Sequence, residues 1–293
     1  MRIRGIYRIL RLPLAVTAVA DVLAGYTVAR FALPQEPFDG RLMALVAGTS
    51  AGLYLFGMVQ NDLVDRRRDR LMNVPRPLVT GEIGMGLAVA LLILTGLLAF
   101  VCAVIVGRGV LAMAIGTFAA INLYNLAAKS GPSHIAMTVM GLCRALNYGI
   151  GVAAAVGVPH HIGIELLGPS GPLWVRHALA LFFATAVVTG YSICVRYDVR
   201  VSTRPWSLAF VAAAAAGFVM IAISVGTEPP LFKAPVARVF AVLLLAGLWP
   251  GGLWSATGPF RKAEQYEPFI GRMLYWLIAM DAAFVFDAWL MSR

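Results

Sequence analysis

Apolar stretches close to the ~20 residues that a helix needs to cross hydrocarbon recur along the whole chain. They fall roughly at 14–33, 42–60, 83–106, 109–127, 135–157, 175–195, 207–226, 236–254 and 273–291. Inside a bilayer every backbone N–H and C=O must find a partner within the protein, so stretches of this length are restricted to helices. The pattern predicts an all-α, polytopic membrane protein of about nine spans, a single membrane domain over 1–293. Composition agrees: 60% of the 293 residues are hydrophobic and 13% charged, against about 45–50% and 25% in soluble domains.

The connectors carry turn-forming Pro and Gly, as in Pro34–Arg41, Gly168–Pro172 and Glu228–Pro235. Basic residues orient the bundle. With the N-terminus inside, sixteen Lys and Arg fall on the cytoplasmic side, among them Arg8, Arg11, Arg66, Arg76, Lys129 and Arg196, and six fall opposite. That asymmetry predicts an N-in, C-out arrangement in a cell or cytoplasmic membrane. It also accounts for the net charge of +10 without nucleic acid, since no soluble basic domain exists to bind one. The first residues, MRIRGIYRILRLPL, lack a small-residue cleavage site and read as a retained amphipathic lead-in. Three cysteines, Cys102, Cys143 and Cys194, show no metal-binding or disulfide spacing.

The densest chemistry follows the second span, in Asn61-Asp62-Leu63-Val64-Asp65-Arg66-Arg67-Arg68-Asp69. Carboxylates at i, i+3 and i+7 share one face if the helix continues. Like charges so close call for a cation, and hard oxygen donors suit Mg²⁺ or Ca²⁺. Magnesium is commonly held by one or two carboxylates plus substrate phosphates, so the cluster reads as a diphosphate site. The neighbouring arginines suit the remaining phosphate oxygens.

Read with the downstream RPLVTGEI, this segment resembles the UbiA superfamily of intramembrane prenyltransferases, whose N-D-x-x-D-x-x-x-D motif precedes R-P-L-x-x-G-x-I. Asn61, Asp62, Asp65 and Asp69 fill the first motif; Arg76, Pro77, Leu78, Gly81 and Ile83 fill the second. The resemblance extends to Arg11-Leu12-Pro13, to Tyr124–Lys129 and to the span count. It implies a prenyl diphosphate donor bound through Mg²⁺, which draws charge from the leaving diphosphate as an allylic cation develops. It further implies that Asp62 and Asp65 hold the metal with Asp69 as an outer ligand and that Asn61 orients the site. Arg76 and Lys129 would contact diphosphate oxygens. A second Asp-rich motif belongs at the end of the sixth span, where this chain carries Tyr191, Arg196 and Asp198, with Val195 and Val199 at the positions of the expected acids.

Within the fifth span lie Arg144 and Asn147. An arginine at mid-span costs about 2.5–3.5 kcal/mol on insertion scales, so it must face a polar cavity or an internal acid. The two residues either line the substrate chamber, or Arg144 pairs structurally with Asp21, Asp281 or Asp287. His134 and His177 read as interfacial, His160 and His161 as a solvated loop, and the tryptophans as membrane-boundary anchors.

These readings converge on Mg²⁺-dependent prenyl transfer to a lipophilic or small polar acceptor among membrane lipids. A carrier of a prenylated lipid that has lost full catalysis, and an intramembrane terpene cyclase, are the alternatives. A secondary transporter leaves the acidic cluster followed by RPLVTGEI unexplained.

Overall fold

In the computed structural model of the chain, residues 2–31, 38–157, 173–197 and 266–291 are described, and all regular structure among them is helical. A short helix α1 (Arg2–Leu10) turns at Arg11 into α2 (Leu12–Phe31), followed by α3 (Gly40–Leu71) and the one-turn α4 (Pro77–Thr80). Next come α5 (Met85–Val106), α6 (Arg108–Leu126), a 3₁₀ turn (Ala128–Ser130) and α7 (Ser133–Val156). The described chain closes with α8 (Leu173–Tyr197) and α9 (Tyr266–Met291). Five of these segments are long and apolar enough to cross a membrane: α2, α3, α5, α6 with its 3₁₀ extension, and α7. Shorter apolar stretches run through α8 and α9. Seven of the nine expected spans thus correspond to helices; those at 207–226 and 236–254 lie outside the described residues. The protein is an integral, multi-pass membrane protein.

α3 runs well past its apolar stretch, as the continuing helix on which the three acids share one face. The apolar stretch ends near residue 60, yet the helix continues to Leu71. At 1.5 Å per residue its 32 residues span about 48 Å, well beyond the ~30 Å hydrocarbon core. Asp39 caps its start, its carboxylate accepting from Arg41 N at 2.8 Å and Leu42 N at 3.3 Å. The far end persists because its three carboxylates are buried against basic partners instead of repelling one another in solvent. It stops at Met72 and Asn73, the latter at φ +52°. Pro77 then opens α4, and Gly81, at φ +77° where a side chain would be strained, ends it.

α2 lies at the centre, packed against α7, α9, α3 and α8, while α5 is held by α3 and α6 at the periphery. The α2–α7 contact depends on missing side chains. A Cβ on Gly151 would sit 1.9 Å from Val22 O, and one on Gly25 would sit 2.4 Å from Tyr148 O. Lipid is as apolar as leucine, so helices in a bilayer associate through close backbone approach of this kind. Conversely, α5 exposes Ile93, Leu94, Leu97, Val101, Val104 and Ile105, which suits a lipid-facing helix.

The reading of His177 as interfacial is overturned. Its ring is fully buried, stacked on Phe284 with centroids 4.1 Å apart and edge-on to Tyr148 at 4.5 Å. Its Nε2 lies 2.8 Å from Asp281 Oδ1. Proximity to the start of α8 placed it at the interface; the tertiary packing of α7 and α9 around that turn buries it.

Candidate functional site

α1, the end of α3, α4 and the α6–α7 turn gather at one end of the bundle, the end that the basic residues assign to the cytoplasm. Asp62, Asp65 and Asp69 share one face of α3 and are 2%, 5% and 5% exposed, so each needs a partner. Asp62 Oδ1 accepts from Arg11 Nη2 at 3.1 Å. Asp65 is held on both oxygens, by Lys129 Nζ at 2.7 Å and Arg68 Nη2 at 2.7 Å. Asp69 has longer contacts, 3.6 Å to Arg68 and 3.9 Å to Arg76. Arg8 pairs with Glu82 and donates to Pro75 O at 2.6 Å, fastening α1 to the α3–α5 connection. Five cations therefore surround four carboxylates at this end.

The arrangement extends through amides that the sequence reading did not single out. Lys129 Nζ donates to Asn61 Oδ1 at 3.1 Å. Gln60 Nε2 donates to Asn122 Oδ1 at 2.7 Å, and Asn125 Nδ2 donates to Gln60 Oε1 at 2.9 Å and to Gly57 O at 3.1 Å. These bonds lock the register of α3 against α6 and hold the amine of Lys129 at the acidic face. The signal was present as amides one turn apart near the end of the fourth span. Their partner lay some sixty residues away, which no local pattern reveals.

A cavity of about 930 Å³ opens beside this cluster. Its mouth is lined by Arg8, Arg11, Asn61 and Arg76; apolar Leu53, Met58, Ile121, Met140 and Val188 line it further in. Arg144 and Asn147 also border it. The carboxylates Asp62, Asp65 and Asp69, together with Lys129, stand behind the lining residues. The three acids share the face that their spacing predicts, each against a basic side chain, and among the described residues no three His, Cys, Asp or Glu converge on one point. A single Mg²⁺ sharing one or two carboxylates with diphosphate oxygens is compatible with the donors. Asp62 Oδ2 is buried without a hydrogen-bond partner, and Asp69 has only long contacts to give up.

Deeper in, Arg144 borders the cavity and is also paired, with Asp21 of the three acids that the sequence offered. It forms an ion pair with Asp21 through Nε and donates from Nη2 to Asp21 Oδ1 at 2.8 Å. It also donates to Thr17, to Oγ1 at 3.1 Å and to the backbone oxygen at 3.0 Å. Asn147 donates to Ala18 O at 2.8 Å. α8 adds Thr185, Thr189 and Ser192 along one face. Two of these hydroxyls return a hydrogen bond to their own helix, as Ser and Thr do within spans. That habit is why they went unnoticed in the sequence. Of the second-motif residues, the side chains of Tyr191 and Arg196, and Asp198 entirely, lie outside the described residues.

Several solved structures share the fold. A UbiA homologue of Aeropyrum pernix K1 superposes with TM-score 0.61 at 18% identity, over 92% of this chain and 94% of its own. A UbiA homologue of Archaeoglobus fulgidus bound to GPP and Mg²⁺ gives 0.58 at 19%, over 96% and 99%. A digeranylgeranylglyceryl phosphate synthase gives 0.57 at 14%, over 98% of each. No curated protein sequence matches the chain. The sequence model of the UbiA prenyltransferase family, however, matches residues 22–278. With the motif of α3, the helical architecture and that match in agreement, the chain belongs to the UbiA prenyltransferase family.

Proposed function

We propose that this membrane prenyltransferase moves an isoprenyl group from a prenyl diphosphate to a lipophilic or small polar acceptor inside the bilayer, with Mg²⁺ as cofactor. The observation that carries the reading is a cavity with an arginine-lined mouth beside the buried acidic face of α3 and an apolar interior behind it. Such a cavity matches a donor with a charged head and a hydrocarbon tail, the class of ligand that the Archaeoglobus homologue holds as GPP with Mg²⁺.

Arg8, Arg11 and Arg76 attract the diphosphate to the mouth, where planar guanidinium groups suit phosphate oxygens. Asp62 and Asp65 are the metal-holding residues in this scheme, with Asp69 outside them and Asn61 and Lys129 fixing their orientation. Bound there, Mg²⁺ supplies Lewis-acid withdrawal of charge from the leaving diphosphate. Arg11 holds Asp62 Oδ1 and leaves Oδ2 as the oxygen that would face the metal, and from there its guanidinium can also reach incoming phosphate oxygens. Lys129 stays with Asp65 and offers a fixed positive charge toward the departing group. The apolar interior excludes water, so a cation developing on the prenyl carbon meets the acceptor before it meets hydroxide. Tyr191 and Arg196 of α8, with Asp198 next to it in sequence, are proposed to complete the diphosphate site.

The test is diphosphate release by the purified protein from a panel of prenyl diphosphates with lipophilic acceptors, with and without Mg²⁺. Metal-dependent release abolished by Asp62→Ala or Asp65→Ala is the expected result. Undiminished release in either variant removes that residue from the mechanism. A second reading, a carrier that binds the donor or a prenylated product without ionising it, is favoured by the ion pairing of all three carboxylates and by the lone acid of the second motif. Donor binding that depends on Asp62 without any diphosphate release would select it.

A further inference from the structure

Arg144 is the deepest cation bordering the cavity, and it is already neutralised. Asp21, fully buried, pairs with it through both carboxylate oxygens, and Thr17 takes further donors through Oγ1 and its backbone oxygen. An arginine spent in this way has no charge left to clamp a carboxylate. What the described residues of the inner wall offer besides is neutral. Thr185 is 5% exposed and borders the cavity, and its Oγ1 has no hydrogen-bond partner. Asn147 uses its Nδ2 on Ala18 O, which leaves Oδ1 as an acceptor. Tyr54 stands on the same lining. A buried hydroxyl without a partner costs on the order of a hydrogen bond, and a ligand hydroxyl would recover that loss.

We infer that the second substrate of this enzyme enters with an uncharged, hydroxyl-bearing head and is received by Thr185 and Asn147, and that a carboxylate-bearing acceptor is rejected. The inference rests on the prenyl-transfer reading and narrows its acceptor. The physics of the rejection is desolvation: an anion brought into this chamber sheds its water and finds Arg144, the cation that the described residues place there, already shared with Asp21. A neutral alcohol gives up less and gains Thr185 as donor or acceptor and Asn147 Oδ1 as acceptor. The basic mouth does not alter this, because its arginines serve the diphosphate at the other end of the cavity.

Two measurements test it. The first offers the purified protein geranyl diphosphate, Mg²⁺ and the matched acceptors 4-hydroxybenzyl alcohol and 4-hydroxybenzoate, together with the cyclic polyol myo-inositol, and follows prenylated product by mass spectrometry. The alcohol or the polyol should be used with kcat/KM about tenfold or more above the carboxylate, the discrimination expected of a missing charge partner. Thr185→Val should raise the acceptor KM about tenfold with the donor KM unchanged, and Thr185→Ser should restore it.

The second measurement is independent of turnover. In a background with Cys102, Cys143 and Cys194 replaced by alanine, Thr185→Cys is modified with the neutral 2-hydroxyethyl and the anionic 2-sulfonatoethyl methanethiosulfonates. Val74→Cys, at the mouth, serves as reference. The neutral-to-anionic rate ratio should be about tenfold or more higher at position 185 than at position 74. Equal or better use of 4-hydroxybenzoate, or a ratio at position 185 no higher than at position 74, overturns the inference. If none of the three acceptors is prenylated, the thiol ratio decides alone. Absence of diphosphate release from any donor would remove the prenyl-transfer reading while leaving that ratio to be read.

Discussion

The buried pair Asp21–Arg144 invites a double-mutant cycle, because it is both the structural tie between α2 and α7 and the reason the inner chamber is neutral. Unit charges 2.8 Å apart attract by about 6 kcal/mol at an effective dielectric of about 20, before desolvation is subtracted. Asp21 is fully buried, and the Arg144 side chain is 11% exposed. Replacing either alone leaves its partner charged and without compensation, which costs about 3–5 kcal/mol. Asp21→Asn and Arg144→Met should each carry a cost of that size. The double variant has no charge to strand and should be less destabilised than the sum of the two by about 2 kcal/mol or more. The assay is SDS-induced unfolding in mixed micelles, followed by tryptophan fluorescence, on all four proteins. Additivity within about 0.5 kcal/mol would mean that the two side chains do not share a pair in the folded protein. The account of a neutral inner wall would then fall with it.

Three further outcomes follow from the geometry. Gly151→Ala places a methyl group 1.9 Å from Val22 O, so α2 and α7 must part; a loss of about 1–3 kcal/mol or more in the same unfolding assay is expected, and an unchanged midpoint would refute the close approach. His177→Ala removes a ring stacked on Phe284 and strands Asp281; a cost of about 2–4 kcal/mol is expected, whereas a near-neutral effect would put the ring at the membrane surface after all. Lys129→Met removes a charge-assisted contact at 2.7 Å to Asp65 and another at 3.1 Å to Asn61; donor affinity should fall about tenfold or more, and an unaltered donor KM would free Lys129 from the proposed role.

The two ends of the cavity differ in how their charges are shared. At the mouth, four carboxylates are balanced by five cations contributed by α1, the α1–α2 turn, α3, the α3–α4 loop and the α6–α7 turn. Removing one charge there redistributes the others, so single substitutions at Arg68 or Arg76 should be partly buffered. The inner end has one ion pair and hydroxyls, with no spare charge among the described lining residues. Effects at that end should be sharper and confined to the acceptor.

Much of this protein was legible in its linear order. A bilayer admits only helices whose backbone bonds are internal, so runs of some twenty apolar residues determined the class of fold and the positions of the spans, as α2, α5, α6 and α7 bear out. The spacing of Asn61, Asp62, Asp65 and Asp69, followed by Arg76-Pro77-Leu78, was enough to point to the family. Hydropathy failed where burial is paid by partners distant in sequence, the single case being the last three turns of α3. Their hydropathy ends near residue 60, and they continue as a helix because Arg11, Lys129 and Arg76 come to its carboxylates. The partner of Arg144 was one of three candidates in the sequence, and His177 read as interfacial, because neither choice is local. Each depends on the rotation of one helix against another, set by contacts such as Gly151 on Val22 and Gly25 on Tyr148. Those contacts join residues more than a hundred positions apart. Helix identity is written in the local pattern; which faces meet, and therefore which charges are spent and which remain for a substrate, is decided only when the helices pack.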